Sequence, residues 1–313
     1  MTATIETADD VGGHHATAVF RPALLAIALV ASVSAVWSVP DPVAVSVATA
    51  AVIALGIPHG ALDHLVVETL DGRTDGSRRR FVRNYAAAMA GAGLIWLASP
   101  PLALAAFLLI SVHHFGQSDL AHLRLGGVRQ IALQWSRGLL LVGLPLVAHV
   151  EVVAPVIADL GGGDVAAWTW MNDRWWMWAG ALIVQHAVVG AALVAPSRSR
   201  ATLVREATAV AALTALFLTA HPLVGFAVYF GLWHALGHLV VLAEVLGVRE
   251  RPVRSMISLA APLTAVSVVG LAVAWVGATM AGRADLLVPV MFVFVSMLTV
   301  PHLVVVERLW RDR

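Results

Sequence analysis

The sequence predicts an all-α fold: a polytopic bundle of about ten transmembrane helices with both termini in the cytoplasm. Three observations predict it: the composition, the recurrence of apolar blocks and the distribution of arginine. The 313 residues are 59 % hydrophobic and 12 % charged, with a mean hydropathy of +0.84, whereas soluble globular proteins carry about 25 % charged residues. Apolar blocks recur at about the 20-residue length that a helix needs to cross a bilayer.

The elements follow in order along the chain. Residues 1–20 are polar and lack the basic region of a signal peptide, so they predict a flexible tail. Residues 21–313 predict a single transmembrane catalytic domain, because the breaks between apolar blocks are too short for a soluble one. The first, third and seventh spans are short or weakly apolar. The predicted spans are 22–38, 43–67, 83–98, 100–120, 131–150, 175–195, 201–219, 221–246, 256–281 and 286–308.

Arginine is concentrated in alternate breaks between these spans, beginning with Arg78–Arg83 and ending with Arg308–Arg313. Cytoplasmic loops are enriched in Lys and Arg, so ten spans place every basic break on the cytoplasmic side without a violation. The pattern predicts a multi-pass protein of the plasma membrane, with the lipid bilayer as a partner.

Composition also excludes several classes of protein. The net charge of +1 gives no basic surface for nucleic acid, and the absence of cysteine excludes thiolate metal sites and disulfide scaffolds. The chain contains no lysine, which excludes a retinylidene pigment. We find no glycine-rich loop that would cradle a phosphate.

Histidines inside the spans are the informative feature. His59, His114, His234 and His302 come from four different predicted helices, each roughly 13–17 residues from the outer end at about 1.5 Å per residue. Ionisable side chains in a span are costly and usually face a partner or a cavity. His234 and His238 are four residues apart, so one helix face could offer two metal ligands. The pattern predicts an intramembrane metal site.

Carboxylates near these histidines would offset the charge of the metal. An imidazole that binds metal usually donates its other N–H to a carboxylate or carbonyl. Asp63 lies four residues after His59 and is the first candidate acceptor, with Asp119 and Glu307 as further ones. Imidazole suits Fe, Zn and Cu, and the lack of cysteine argues against structural zinc.

A structural interpretation is favoured for the other polar residues of the spans. These are His186 as an interhelical hydrogen-bonding group, His149 and His221 at the interface, His64 and His113 in packing or support, His122 in solvent, and Gln134 and Arg137 as polar contacts.

Four motifs, in order, resemble those of a known family. Gly-Ile-Pro-His-Gly-Ala-Leu-Asp at 56–63 is similar to the opening signature of the Brp/Blh family of bacterial membrane β-carotene 15,15′-dioxygenases. His-Phe-Gly-Gln-Ser-Asp at 114–119 resembles its second motif, and the pair His234/His238 after Tyr229-Phe230 resembles the third. Thr-Val-Pro-His at 299–302, followed by Glu307, resembles the closing segment.

The resemblance implies a non-haem Fe(2+) centre held by four histidines, which here match His59, His114, His234 and His238. It implies O2-dependent cleavage of the central double bond of β-carotene into two molecules of all-trans-retinal. A retinal-binding rhodopsin is an expected product acceptor. Asp63, Tyr229 and His302 also match family positions and are expected to support the site or position the substrate.

The sequence departs from the family pattern at two points. Ala235 stands where a serine often follows the first histidine of the third motif, which puts one supporting hydrogen bond in doubt. The second motif has a doubled histidine: we choose His114, because it directly precedes Phe115, and keep His113 as the fallback.

Two other functions remain open at this point. A membrane di-iron desaturase or hydroxylase also uses histidine-rich boxes, but it needs about eight histidines, and no His-x-x-His-His run occurs. A b-type haem electron carrier needs one axial histidine on each of two helices and shows a Soret band.

Overall fold

The computed structural model describes residues 8–72, 75–161, 163, 166–196 and 198–311, and within these ranges the chain is helical without a β-strand. Two π-helical segments, Val52–Gly56 and Val228–Ala235, interrupt the α-helices, and short 3-10 turns cover Ala121–Leu123 and Ala284–Leu286. The α-helices are α1 (Ala8–Ser34), α2 (Asp41–Ala51), α3 (Ile57–Ala61), α4 (Asp63–Asp71), α5 (Asp75–Ala98), α6 (Pro100–Leu120), α7 (Gly127–Ala148), α8 (Val150–Gly161), α9 (Ala166–Asn172), α10 (Trp175–Leu193), α11 (Arg200–Thr219), α12 (Pro222–Ala227), α13 (Leu236–Val245), α14 (Pro252–Met280) and α15 (Leu287–Arg311).

Seven helical stretches of the described residues are long and apolar enough to cross a membrane. The first predicted span corresponds to a shorter apolar helix, Phe20–Ser34. Helices α5 and α6 are not among the seven: α5 begins with an arginine cluster, and α6 ends in the polar sequence His-His-Phe-Gly-Gln-Ser-Asp. Among the described residues the fold is therefore an all-helical bundle with seven candidate membrane spans, while ten spans and cytoplasmic termini stay predictions. The seven are Asp41–Asp71, Gly127–Ala148, Trp175–Leu193, Arg200–Thr219, Pro222–Val245, Pro252–Met280 and Ala284–Arg311.

The flexible tail predicted for residues 1–20 stays a prediction. Residues 1–7 lie outside the described residues, but α1 already begins at Ala8, inside the stretch 1–20 that the sequence predicts to be flexible. Once the apolar part of a helix is formed, each added residue gains one backbone hydrogen bond without a new nucleation cost. The helix therefore extends beyond the apolar block.

The π-helical segments lie where the functional motifs lie. In the first segment the N–H of Ile57 donates to Val52 O, five residues back, directly before Pro58, which has no N–H to donate. In the second segment the N–H of Leu236 donates to Gly231 O in the same way. One extra residue per turn rotates the side chains that follow, and such turns are frequent at functional sites.

Helices α6 and α7 approach each other through a reciprocal pair of glycines. A Cβ atom on Gly116 would overlap the backbone carbonyl of Gln134, and one on Gly138 would overlap that of Val112. Small residues allow this close backbone contact between membrane helices. The contact fixes α6, which carries His114, against its neighbour.

Candidate metal centre

Five buried imidazoles meet in the interior of the described bundle. They come from α3, α6, the second π-helical segment, α13 and α15, and each residue is at most 6 % exposed. The structure therefore brings together the four predicted ligands and the predicted supporting histidine. The residues are His59, His114, His234, His238 and His302.

Three of the five form the tightest group. One ring nitrogen from each of His59, His114 and His234 lies within 4.8 Å of the others, a separation that one metal ion can bridge. The ring of His238 has its centre 5.6 Å from that of His59 and 6.5 Å from that of His234. The ring of His302 lies closer, 4.9 Å from His59 and 5.1 Å from His114.

The unused ring nitrogens fit a metal ion. Within the described part of the chain, Nδ1 of His59, both ring nitrogens of His114, Nε2 of His234 and Nε2 of His302 are buried without a hydrogen-bond partner. Buried polar atoms in native proteins nearly always have a partner, because an unpartnered one loses its hydration without compensation. Several such nitrogens in one place form a donor set for a cation, and imidazole suits Fe, Zn and Cu.

Asp63 supports a different histidine from the one predicted. It is 2 % exposed, and Nδ1–H of His302 donates to its carboxylate oxygens at 2.9 and 3.0 Å. The sequence pairs Asp63 with His59 through their four-residue spacing, which assumes one continuous α-helix. The helix is interrupted at Leu62, where φ is −88° and ψ is −4°, so the two side chains no longer share a face.

Tyr85 is a residue of this site that the sequence reasoning missed. Its hydroxyl donates to Asp63 Oδ2 at 3.2 Å, from α5. The only sequence signal for Tyr85 was composition, because the chain has just two tyrosines. Both of them, Tyr85 and Tyr229, line an apolar cavity beside the imidazoles, which is described below.

The other two candidate acceptors belong to other contacts. Asp119 forms a salt bridge of 2.9 Å with Arg137, and Glu307 accepts from His113 Nε2 at 2.5 Å and from Gln117 at 2.9 Å. Neither is bonded to an imidazole of the cluster in the described structure. Helix rotation explains the difference, because α6 turns His113 towards Glu307 and the adjacent His114 towards the cluster.

The other histidines that the sequence analysis considered have hydrogen-bond partners nearby. These contacts are His64 with Ala61 O at 3.0 Å, His122 with Glu206 at 2.9 Å, His149 with Phe217 O at 2.9 Å, His186 with Ser136 at 2.9 Å, and His221 with Asp41 at 3.2 Å.

Aromatic rings enclose one side of the imidazole cluster. The Phe115 ring packs edge-on against His234 with centres 4.9 Å apart, and Phe230 stacks on His234 at 5.8 Å. Gly56 makes room for this wall, since a Cβ there would collide with the Phe230 ring. Tyr229 is 2 % exposed, and its hydroxyl has no hydrogen-bond partner among the described residues.

A cavity of about 650 Å³ adjoins the cluster. Its lining is almost wholly apolar, apart from the polar groups of the centre, and it reaches Val82 and Val266, whose side chains are exposed on the outer surface of the bundle. Its volume is within the range of about 300–1,000 Å³ typical of small-molecule sites. A long apolar molecule could thus reach the imidazoles from the side of the bundle.

Comparisons with known proteins point to one family. Residues 50–310 match the sequence profile of a family described as Beta-carotene 15,15'-dioxygenase. The probable beta-carotene 15,15'-dioxygenase Blh of Halobacterium salinarum is 29 % identical over 299 residues, covering 84 % of this chain and 83 % of the relative. The beta-carotene 15,15'-dioxygenase of an uncultured marine bacterium, 66A03, is 25 % identical over 276 residues, covering 84 % and 93 %.

No solved structure matches the chain significantly. The family profile covers all five clustered histidines, so the match and the cluster concern the same part of the molecule. The chain belongs to the Brp/Blh family of beta-carotene 15,15'-dioxygenases.

Proposed function

We propose that this protein cleaves the central 15,15′ double bond of β-carotene with O2 and releases two molecules of all-trans-retinal. The reaction takes place at a ferrous ion held by His59, His114 and His234, with His238 as the fourth ligand that the family resemblance implies. The observation that carries the proposal is the group of buried, unpartnered imidazole nitrogens on the wall of an apolar cavity. Membership of the family and the names of both relatives support the substrate.

The ferrous ion, when bound, supplies the redox chemistry that activates O2. The protein supplies the rest: it positions the central double bond, orients it and keeps water away. The apolar lining binds a C40 hydrocarbon without a polar anchor, so the shape of the cavity sets which double bond lies beside the imidazoles. The stoichiometry balances, because one O2 adds one oxygen atom to each of the two C20 products.

Tyr229 is proposed to position the reacting groups. Its hydroxyl is buried in the cavity wall without a partner, next to Phe115 and close to His234, whose ring centre is 6.4 Å from that of the tyrosine. A free O–H donor at this place can bind an oxygen atom at the cleavage point. The aromatic wall of Phe115 and Phe230 excludes water from the same place.

The bilayer is proposed to deliver the substrate and receive the product. β-Carotene partitions into lipid, and the cavity reaches the surface of the bundle at Val82 and Val266. This agrees with a protein of the plasma membrane. A retinal-binding rhodopsin in the same membrane is a suitable acceptor for the product.

The test uses the purified full chain in detergent or nanodiscs, loaded with Fe(II). We expect one iron per chain and two molecules of retinal per β-carotene consumed, and only when O2 is present. Two irons per chain would favour the di-iron desaturase or hydroxylase, and a Soret band would favour the haem carrier. A loaded protein that leaves β-carotene intact would overturn the proposed function.

A further inference from the structure

We propose that His302 is itself a ligand of the metal ion, held in place by Asp63, and so adds a fifth imidazole to the four above. The inference rests on the metal site of the proposed function but not on the identity of the substrate. The sequence places His302 among the histidines of similar depth that predict a metal site, but the family resemblance gives it only a supporting or positioning role.

The hydrogen bonds of His302 leave one nitrogen for the metal. Both oxygens of Asp63 lie 2.9–3.0 Å from Nδ1, so Nδ1 carries the proton and donates it. In this tautomer Nε2 has a free lone pair. That atom is buried without a hydrogen-bond partner in the described structure, and His302 as a whole is 4 % exposed. A carboxylate that orients a histidine in this way is the usual support of a metal-binding imidazole.

Two ring distances of His302, to His59 and His114, are those of neighbouring rings on a shared ion, while the group whose nitrogens all lie within 4.8 Å of one another comprises His59, His114 and His234. A ring bound through nitrogen at about 2.1 Å has its centre about 3.25 Å from the metal, so two rings that subtend 90–109° at the metal have centres roughly 4.6–5.3 Å from each other. The rings of His302 and His59 are 4.9 Å apart, and those of His302 and His114 are 5.1 Å apart. The same range contains the distances from His234 to His59, 5.3 Å, and to His114, 4.9 Å.

His238 fits this geometry less closely. Its ring centre lies 5.6 Å from that of His59 and 5.5 Å from that of His302, slightly beyond the range for neighbouring ligands. Its distance of 6.5 Å from the ring centre of His234 is that of two rings on opposite sides of a six-coordinate ion. His302 is therefore placed at least as well for coordination as the ligand that the resemblance implies. Five imidazoles would leave one open position on a six-coordinate ion.

The charge of Asp63 supports the same conclusion. The carboxylate is buried, and its hydrogen bonds in the described structure come from one imidazole and from the neutral hydroxyl of Tyr85. Its one ion-pair contact there is His302, which bears a positive charge only if doubly protonated. A divalent ion on the far side of the His302 ring supplies the missing positive charge, and the carboxylate in turn makes the imidazole a stronger ligand.

The experiment measures metal binding. Metal-free full-length protein is titrated with Co(II), whose visible spectrum reports the number and arrangement of ligands, and then with Fe(II). We expect His302→Ala to lower the affinity at least 100-fold and to change the Co(II) spectrum. Added imidazole should restore the spectrum by filling the vacated space, which a purely structural role of His302 would not allow. His186→Ala removes a buried, hydrogen-bonded histidine outside the cluster and serves as the matched control.

Asp63→Asn tests the hydrogen bond that supports His302 while all five imidazoles remain. It provides a second test in case the His302→Ala variant does not fold. An asparagine can still accept from Nδ1–H but carries no charge, so we expect a loss of affinity of about 10–100-fold. Wild-type affinity and spectrum in either folded variant would overturn the role of His302. Wild-type protein that binds metal but leaves β-carotene intact would overturn the proposed function alone, and protein that binds no metal would overturn both.

Discussion

Two buried polar clusters in the same bundle differ in what completes them. The first surrounds Arg137, whose side chain is 3 % exposed. Its Nη1 contacts Asp119 and its Nη2 contacts Glu206, each at 2.9 Å. The indole of Trp233 also donates to Asp119, and His122 contacts Glu206. In this cluster the positive charge of Arg137 forms ion pairs with carboxylates of the protein itself.

The second cluster, around the five imidazoles, has no arginine paired with its carboxylate within the described residues. In the part of the chain that the structure describes, ring nitrogens of His59, His114, His234 and His302 are buried without a hydrogen-bond partner, and the carboxylate of Asp63 is bonded to only one of the rings. A network whose charges are paired inside the protein specifies how helices pack. A network with several unpartnered nitrogens in one place is a candidate site for a ligand from outside, as proposed above. The contrast assigns structure to the Arg137 cluster and binding to the imidazole cluster.

The largest effect is expected from removal of a ligand. His234→Ala should abolish stoichiometric iron binding and reduce retinal formation by more than about 100-fold, since even changes to residues that support ligands cost 10–100-fold. Iron analysis and chromatography of the products measure this. The matched control, His186→Ala, should keep wild-type iron binding and retinal formation. If folded His234→Ala still binds one iron per chain and forms retinal at the wild-type rate, the imidazole cluster is not the binding site.

Arg137→Met tests the structural cluster. It leaves Asp119 and Glu206 buried without their cation, which should cost about 3–5 kcal/mol of unfolding free energy. Thermal or denaturant unfolding in detergent measures the loss, and the folded fraction should bind iron as the wild type does. Arg283→Met removes an exposed pair with Asp285 and should cause no measurable change. An Arg137→Met variant with wild-type stability that no longer binds iron would show that the Arg137 cluster serves binding and not structure.

Removal of the metal should have a smaller effect on stability. Chelation takes away a ligand that binds only the folded state, and this contributes about 2.7 kcal/mol when free metal is 100-fold above its Kd. Thermal unfolding of apo and iron-loaded protein measures it, and added Fe(II) should restore the melting temperature. An identical Tm for both forms would show that the imidazoles do not hold the ion in the folded protein.

The smallest effect is expected where the clusters meet. Trp233 directly precedes His234, and its indole donates to Asp119. Trp233→Phe removes one hydrogen bond to a charged group, which should cost about 1.5 kcal/mol and weaken metal binding slightly by loosening the turn that carries His234. Trp275→Phe loses an indole hydrogen bond to the neutral carbonyl of Leu287, which contacts none of the five imidazoles in the described structure, and should leave metal affinity unchanged. Equal metal affinity in both variants would show that the Arg137 cluster has no influence on metal binding at the imidazole cluster.

Composition and the histidine motifs by themselves determined much of this protein. Continuous apolar blocks of about 20 residues form helices, which satisfy their own backbone hydrogen bonds in lipid, and the all-helical fold follows. Histidines at a similar depth in four apolar segments have few uses other than a shared site, and the motifs that contain them resemble one family. The family match agrees with that resemblance.

Only the tertiary structure decided which side chains are partners. The spacing of His59 and Asp63 assumes an unbroken α-helix, but the interruption at Leu62 changes the register between them, and Asp63 meets His302 instead. Tyr85 joins from another helix without a sequence signal. Because lipid and the bundle interior are both apolar, hydropathy does not tell which face of a membrane helix points inward. The rotation of each helix, and with it the partners of Asp119 and Glu307, is fixed by packing.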